Sequence, residues 1–90
     1  MSKKRVVVTG IGCLTPLGNN KEIFWDHLLD GKSGVQTIDF LDTEKLPVKF
    51  SASVKDFDSE KYFERKDLKK MDLFMQYGMA AGIDAVEDSG

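Results

Sequence analysis

The stretch Arg5-Val6-Val7-Val8-Thr9-Gly10-Ile11-Gly12, with Thr15-Pro16-Leu17-Gly18-Asn19 soon after it, decides how this chain is organised. Val6 to Ile11 is an apolar, β-branched run closed by Gly10 and Gly12. That is the pattern of a strand buried on both faces, the central strand of a covered sheet. The loop beyond it is dense in turn residues, and Asn19 with Glu22 three residues on has the spacing of a capping box that opens a helix. The helix is predicted from about Asn20 to Asp30. Its apolar residues Ile23, Phe24, Leu28 and Leu29 recur at helical spacing with Trp25 beside them, and Gly31 stands where a left-handed cap belongs. Strand, loop and helix in this order point to an α/β fold.

Further along, Val48, Phe50, Ala52 and Val54 alternate with Lys49, Ser51, Ser53 and Lys55, which predicts a strand with one wet face. A polar stretch with Asp56, Asp58 and Glu60 precedes a short helical stretch around Lys61 to Lys70. A longer helix then starts near Met71, with Met71, Phe74, Met75, Gly78, Gly82, Ala85 and Val86 on one face. Its small residues Gly78, Ala81, Gly82 and Ala85 permit close approach of another element. Each helical glycine costs about 1 kcal/mol relative to alanine, so tight packing must offset them. The order Asp88-Ser89-Gly90 closes on a helix terminus and cap while the apolar first strand still needs neighbours. Residues 1–90 therefore read as a fragment of a larger α/β domain, with an incomplete sheet, rather than as a complete small protein.

Composition narrows the class. With 41% hydrophobic and 31% charged residues, the chain is globular in type, neither disordered nor fibrous. A chain this short buries only roughly 60–65% of its unfolded surface. The net charge of −2 argues against nucleic acid or anionic membrane as a partner for the molecule as a whole, so any basic surface must be local. Cys13 is the only cysteine, which excludes an internal disulfide and a multi-cysteine zinc site and fits a reducing cytoplasm. Lys3-Lys4-Arg5 ahead of three valines is no export signal, because Thr9, Gly10, Gly12 and Pro16 break the apolar run too early. No apolar stretch approaches the ~20 residues of a membrane helix.

Thr9-Gly10-Ile11-Gly12 after a strand invites comparison with a dinucleotide fold. The fingerprint needs a third glycine three positions on, where Thr15 stands, and Pro16 lacks the N–H that a phosphate cradle uses. Two alternatives remain open on the residues alone. Gly10 and Gly12 can simply permit a close chain crossing, or they can belong to a family pattern. The second alternative has specific support. The VVVTGIG strand, the Thr15-to-Asn19 loop, the helix with Trp25 and Leu29, and Gly31-Lys32-Ser33-Gly34-Val35 together resemble the opening of the condensing enzymes, the β-ketoacyl-acyl carrier protein synthases. The resemblance runs on through Phe50-Ser51-Ala52, Val54-Lys55-Asp56-Phe57, Arg65-Lys66, Lys70-Met71-Asp72, Gln76-Tyr77-Gly78 and Asp88-Ser89-Gly90. It covers essentially the whole chain and is nearest to the synthase II group of that family.

The resemblance implies the first part of the N-terminal half of a thiolase-like fold, a homodimeric enzyme, and a decarboxylative Claisen condensation in fatty-acid elongation. In that chemistry an acyl group moves from acyl carrier protein to a cysteine, and malonyl-acyl carrier protein supplies the carbanion. The family's nucleophile lies in an A-C-x-x-A-type context far along the chain, and two histidines assist it. Cys13, between Gly12 and Leu14, does not match and is expected to be a small buried hydrophobe. His27 has no cysteine or second histidine nearby in sequence and is expected at a helix surface. No catalytic residue, cofactor or metal is therefore expected within these ninety residues.

One functional feature is present. Between Lys61 and Lys70 there are five basic and two acidic residues, a local balance of +3 in an acidic chain. On one continuous helix, Arg65, Lys66, Lys69 and Lys70 would fall within about 140° of arc. A solvated surface laced with Glu64 and Asp67 explains such a run without function, and nucleic acid is disfavoured by the lack of interleaved aromatics. The resemblance implies more: synthases of this group dock an acidic helix of acyl carrier protein on a basic patch, and Lys66, Lys69 and Lys70, with Arg65 adjacent, fall where residues of that patch occur. The competing class is non-enzymatic, a truncated copy or binding module offering a basic face to an acidic partner.

Overall fold

A computed structural model describes residues 3–90. The elements are α1 (Lys21–Leu29), β1 (Val35–Thr37), β2 (Phe50–Ala52), a 3₁₀ turn (Ser59–Lys61), α2 (Arg65–Leu68) and α3 (Leu73–Ser89). Helix α1 begins one residue later than the capping box implied. Asn20 is the N-cap, and its side chain accepts a hydrogen bond from Ile23 N at 2.8 Å, a contact worth about 1 kcal/mol. Asn19 is used elsewhere: its Nδ2 donates to Lys55 O at 2.7 Å, tying the loop before α1 to the end of the β2 segment. The C-terminal end of α1 follows expectation. Gly31 has φ +71, and Gly31 N and Lys32 N donate to Leu28 O and His27 O, the paired bonds of a Schellman cap.

The alternating segment forms a shorter strand than its pattern implied, and its partner is the stretch following Gly34. Strands β1 and β2 pair antiparallel with Val35 opposite Ala52, Gln36 opposite Ser51 and Thr37 opposite Phe50. The expected burial is inverted: Phe50 and Ala52 are exposed while Ser51 is half-buried. The same physics governs the first apolar run. Residues 3–14 join no ladder, and Val6, Val7 and Val8 are 92%, 68% and 80% exposed, so the doubly buried central strand is not realised among the described residues. Apolar strand faces are buried by neighbouring strands and helices, and here no such cover reaches them.

What the first segment does find is α3. A Cβ added at Gly10 would meet Ser89 N at 2.8 Å and overlap the Ala85 carbonyl. One added at Gly12 would meet Ala85 N at 2.8 Å and overlap the Ala81 carbonyl. The main chain of residues 10–12 therefore lies against the Ala81–Ser89 side of α3, a close crossing that only glycine allows. Ala80 of the same helix is fully buried. Ala81 and Ala85 form the contact as expected, whereas Gly78 and Gly82 do not, since a Cβ at either would meet nothing within 4 Å. Asp88 completes the crossing. Its carboxylate accepts from Ile11 N at 2.9 Å and pairs with Lys21, so the first segment, the start of α1 and the end of α3 meet at one side chain.

The chain is open in shape. Its radius of gyration is 16.9 Å, against about 12 Å for a compact domain of this length. Its accessible surface is 7549 Å², against about 5,300 Å² for a compact protein of this mass. The excess is rich in large apolar side chains, among them Val6, Phe40, Phe74 and Val86.

Candidate functional site

The basic segment is not one helix. After the 3₁₀ turn, Tyr62 to Glu64 are non-helical, α2 supplies a single turn, and Lys69 and Lys70 follow in a tighter turn with Lys70 N bonded to Asp67 O at 3.0 Å and Met71 N to Leu68 O at 3.2 Å. The expected continuous helix from Lys61 to Lys70 is therefore replaced by a 3₁₀ turn and a short helical strap. The break lies at Glu64, whose backbone is extended with ψ 147. Arg65, Lys66, Lys69 and Lys70 are all exposed. Arg65 Nε pairs with Glu60 at 2.8 Å and Lys66 Nζ with Glu64 at 3.4 Å, both between largely solvated side chains. Exposed pairs of this kind contribute about 0–1 kcal/mol and do not neutralise the surface. Among the described residues Lys69 and Lys70 enter no ion pair.

The strap is held at both ends. On its N-terminal side Tyr62 Oη donates to Asp84 Oδ2 of α3 at 2.8 Å. The Tyr62 ring stacks on Phe57 at 6.0 Å, Phe57 meets Tyr77 of α3 edge-on at 5.0 Å, and Lys61 Nζ lies 5.4 Å from the centre of the Tyr62 ring. Burial, with the Asp84 hydrogen bond and the Asp84 and Glu87 charges, pushes the Tyr62 phenol up to about 12. On the C-terminal side Gln76 Nε2 reaches back to Met71 O at 3.1 Å. Sequence reading missed this cluster. Its signal was present in Phe57, Tyr62 and Phe63, three aromatics inside an otherwise polar stretch.

Between the first segment, α1 and α3 lies a cleft of about 420 Å³ lined by Cys13, Asn19, Asp56, Tyr62, Asp84 and Asp88 among others. Two of its acidic groups are engaged: Asp84 with Tyr62, and Asp88 with Lys21 and Ile11 N, which hold the Asp88 carboxyl below its ordinary value. Among the described residues no cluster of metal-ligating side chains occurs. Cys13 is half-buried, and burial, reinforced by Asp84 and Glu22, raises its thiol above the ordinary value. A nucleophilic cysteine needs the opposite environment. Alkylation of Cys13 by iodoacetamide at pH 7.5, followed by peptide mass, should accordingly be slower in the native protein than in urea; equal rates would contradict the environment described. His27 Nδ1 contacts the Leu17 carbonyl oxygen, a structural role. Thr15 does likewise: its hydroxyl oxygen accepts from Leu17 N and Gly18 N at 3.2 and 3.1 Å, closing the turn that a phosphate cradle would have had to leave open.

Among the described residues the strap thus presents four exposed cations, and neither Cys13 nor His27 meets a partner that would activate it. The model of the family described as "Beta-ketoacyl synthase, N-terminal domain" matches residues 3–90. The chain is similar to 3-oxoacyl-[acyl-carrier-protein] synthase 2 of Vibrio cholerae, at 56% identity over all its residues, and to that of Vibrio harveyi, at 53%. It spans 22% of the length of each. Among solved structures it superposes on "The ishigamide ketosynthase/chain length factor" with a TM-score of 0.87 and 32% identity, over 99% of this chain and 22% of that one. The backbone is therefore that of the opening of a thiolase-like α/β fold, as the sequence led one to expect.

Proposed function

This chain belongs to the beta-ketoacyl synthase family, and from that premise we propose that it is the opening part of an acyltransferase of fatty-acid elongation that condenses an acyl group with malonyl-acyl carrier protein. The observation that supports this most is the 56% identity, without shortfall at either end of the chain, to a 3-oxoacyl-[acyl-carrier-protein] synthase 2. The bond-making residues are assigned to the protein beyond position 90, because Cys13 and His27 are both committed to packing and turn contacts. The apolar faces of residues 6–8, β2 and α3 are where that further protein packs. A homodimer in a reducing cytoplasm is the working assembly.

What these ninety residues contribute to function is the docking of acyl carrier protein through Arg65, Lys66, Lys69 and Lys70. Four exposed cations, two of them without ion pairs among the described residues, stand in a chain of net charge −2. Such a local concentration of positive charge steers an acidic partner in encounter. The enzymatic part is tested by incubating the full-length gene product with acyl- and malonyl-acyl carrier protein. CO₂ release with formation of 3-oxoacyl-acyl carrier protein is expected, and the ninety-residue chain alone should give none. Acyl exchange without decarboxylation in the full-length protein would overturn the assignment.

A further inference from the structure

We infer that Tyr62, through its hydrogen bond to Asp84, is a positioning residue for the basic strap, fixing where the four cations stand relative to α3. The inference rests on the strap's being the carrier-protein docking site. The strap itself has little to hold it. α2 is one turn, its N-cap Glu64 makes no side-chain capping bond, and none of its residues is fully buried. Isolated helical turns are unstable in water, so the strap takes its position from tertiary contacts.

Those contacts are few and nameable. At the C-terminal end the chain runs directly into α3, with Gln76 closing onto Met71 O. At the N-terminal end the attachment is Tyr62, which stands three residues before Arg65 and reaches α3 by its hydrogen bond to Asp84 and, through the Phe57 ring on which it stacks, at Tyr77. Phe57 is wedged between the Tyr62 and Tyr77 rings, so the polar bond sits beside an aromatic contact that limits how far the ring can swing. An acidic partner recognises the geometry of several cations together. Losing the anchor leaves every charge in place but spreads their positions, and the partner must then order them at its own expense.

Tyr62 therefore affects docking without contributing charge, and this separates it from the cations themselves. In the full-length protein, Tyr62→Phe keeps the ring stack and removes the bond. It should raise KM for acyl-acyl carrier protein by roughly 2- to 10-fold, the worth of one such hydrogen bond, and leave kcat and turnover of a small acyl-pantetheine thioester unchanged. Asp84→Ala should reproduce the effect. Asp84→Asn, which retains an acceptor oxygen, should restore most of it, and Tyr62→Phe with Asp84→Ala should be no worse than either alone. Charge reversal at Lys66 and Lys69 is measured beside them. If reversal raises the carrier KM while Tyr62→Phe leaves it at the parental value, the positioning role is wrong and the docking site stands; if reversal itself has no effect, the docking site is wrong. Equal loss with carrier and small thioester, accompanied by a lowered melting temperature, would reduce Tyr62 to a fold contact and also overturn the inference.

Discussion

Gly12→Val in the full-length protein is expected to lower stability by about 3 kcal/mol or more, seen as a fall in melting temperature or loss of folded product. The size follows from what the new side chain would strike. At Gly12 even a Cβ overlaps the Ala81 carbonyl and meets Ala85 N at 2.8 Å. These are backbone atoms of a seventeen-residue helix and cannot rotate away as a flexible side chain would. Separating the two segments would also pull Ile11 N from Asp88, leaving a backbone donor to find another partner. Gly82 makes the contrasting case. It lies in the same helix with nothing within 4 Å of an added Cβ, so in the ninety-residue chain Gly82→Ala should raise helicity, since alanine is favoured there by about 1 kcal/mol. A Gly12→Val protein as stable as its parent would refute the close crossing.

That contrast also marks what was legible in the sequence. The helical periods of α1 and α3 and the αL cap at Gly31 could be read because each depends on residues within a few positions of one another. The first strand could be recognised in type but not in state. Its apolar run states what it needs on both faces, and exposure of Val6 by 92% shows that the need is not met among the described residues. The small residues of α3 mark a contact surface, yet composition alone does not separate Ala81 and Ala85, which touch the first segment, from Gly78 and Gly82, which do not. Only the rotation of the helix against its neighbour decides that. The basic residues were found by charge count. Their break into a 3₁₀ turn and a strap goes with a contact that no local pattern displays, Tyr62 with Asp84 twenty-two positions away.

The strongest functional effect is expected from reversing the strap's charge. Lys66→Glu with Lys69→Glu should raise KM for acyl- and malonyl-acyl carrier protein at least about 10-fold at low salt, because it places like charge against an acidic partner where opposite charge stood. Turnover of a small acyl thioester should be unchanged. Stability should hold within about 0.5 kcal/mol, since both side chains are exposed and support no packing. Within the pair Lys69→Glu should outweigh Lys66→Glu: Lys66 is already shared with Glu64 at 3.4 Å, while Lys69 enters no ion pair among the described residues. Lys70→Glu should behave like Lys69→Glu, and Arg65→Glu should have the smallest effect, because Arg65 is drawn toward Glu60 at 2.8 Å. Salt supplies the internal check. Screening shortens from about 10 Å at 0.1 M to about 3 Å at 1 M, so parent and variant should converge as salt rises, the parent losing affinity and the variant losing its repulsion. A gap that persists at high salt would mean that the lysines contact the partner by shape or hydrogen bonding and do not act mainly as a steering field. Equal losses with carrier and small-thioester substrates would place the effect in the enzyme's own conformation and remove the docking assignment.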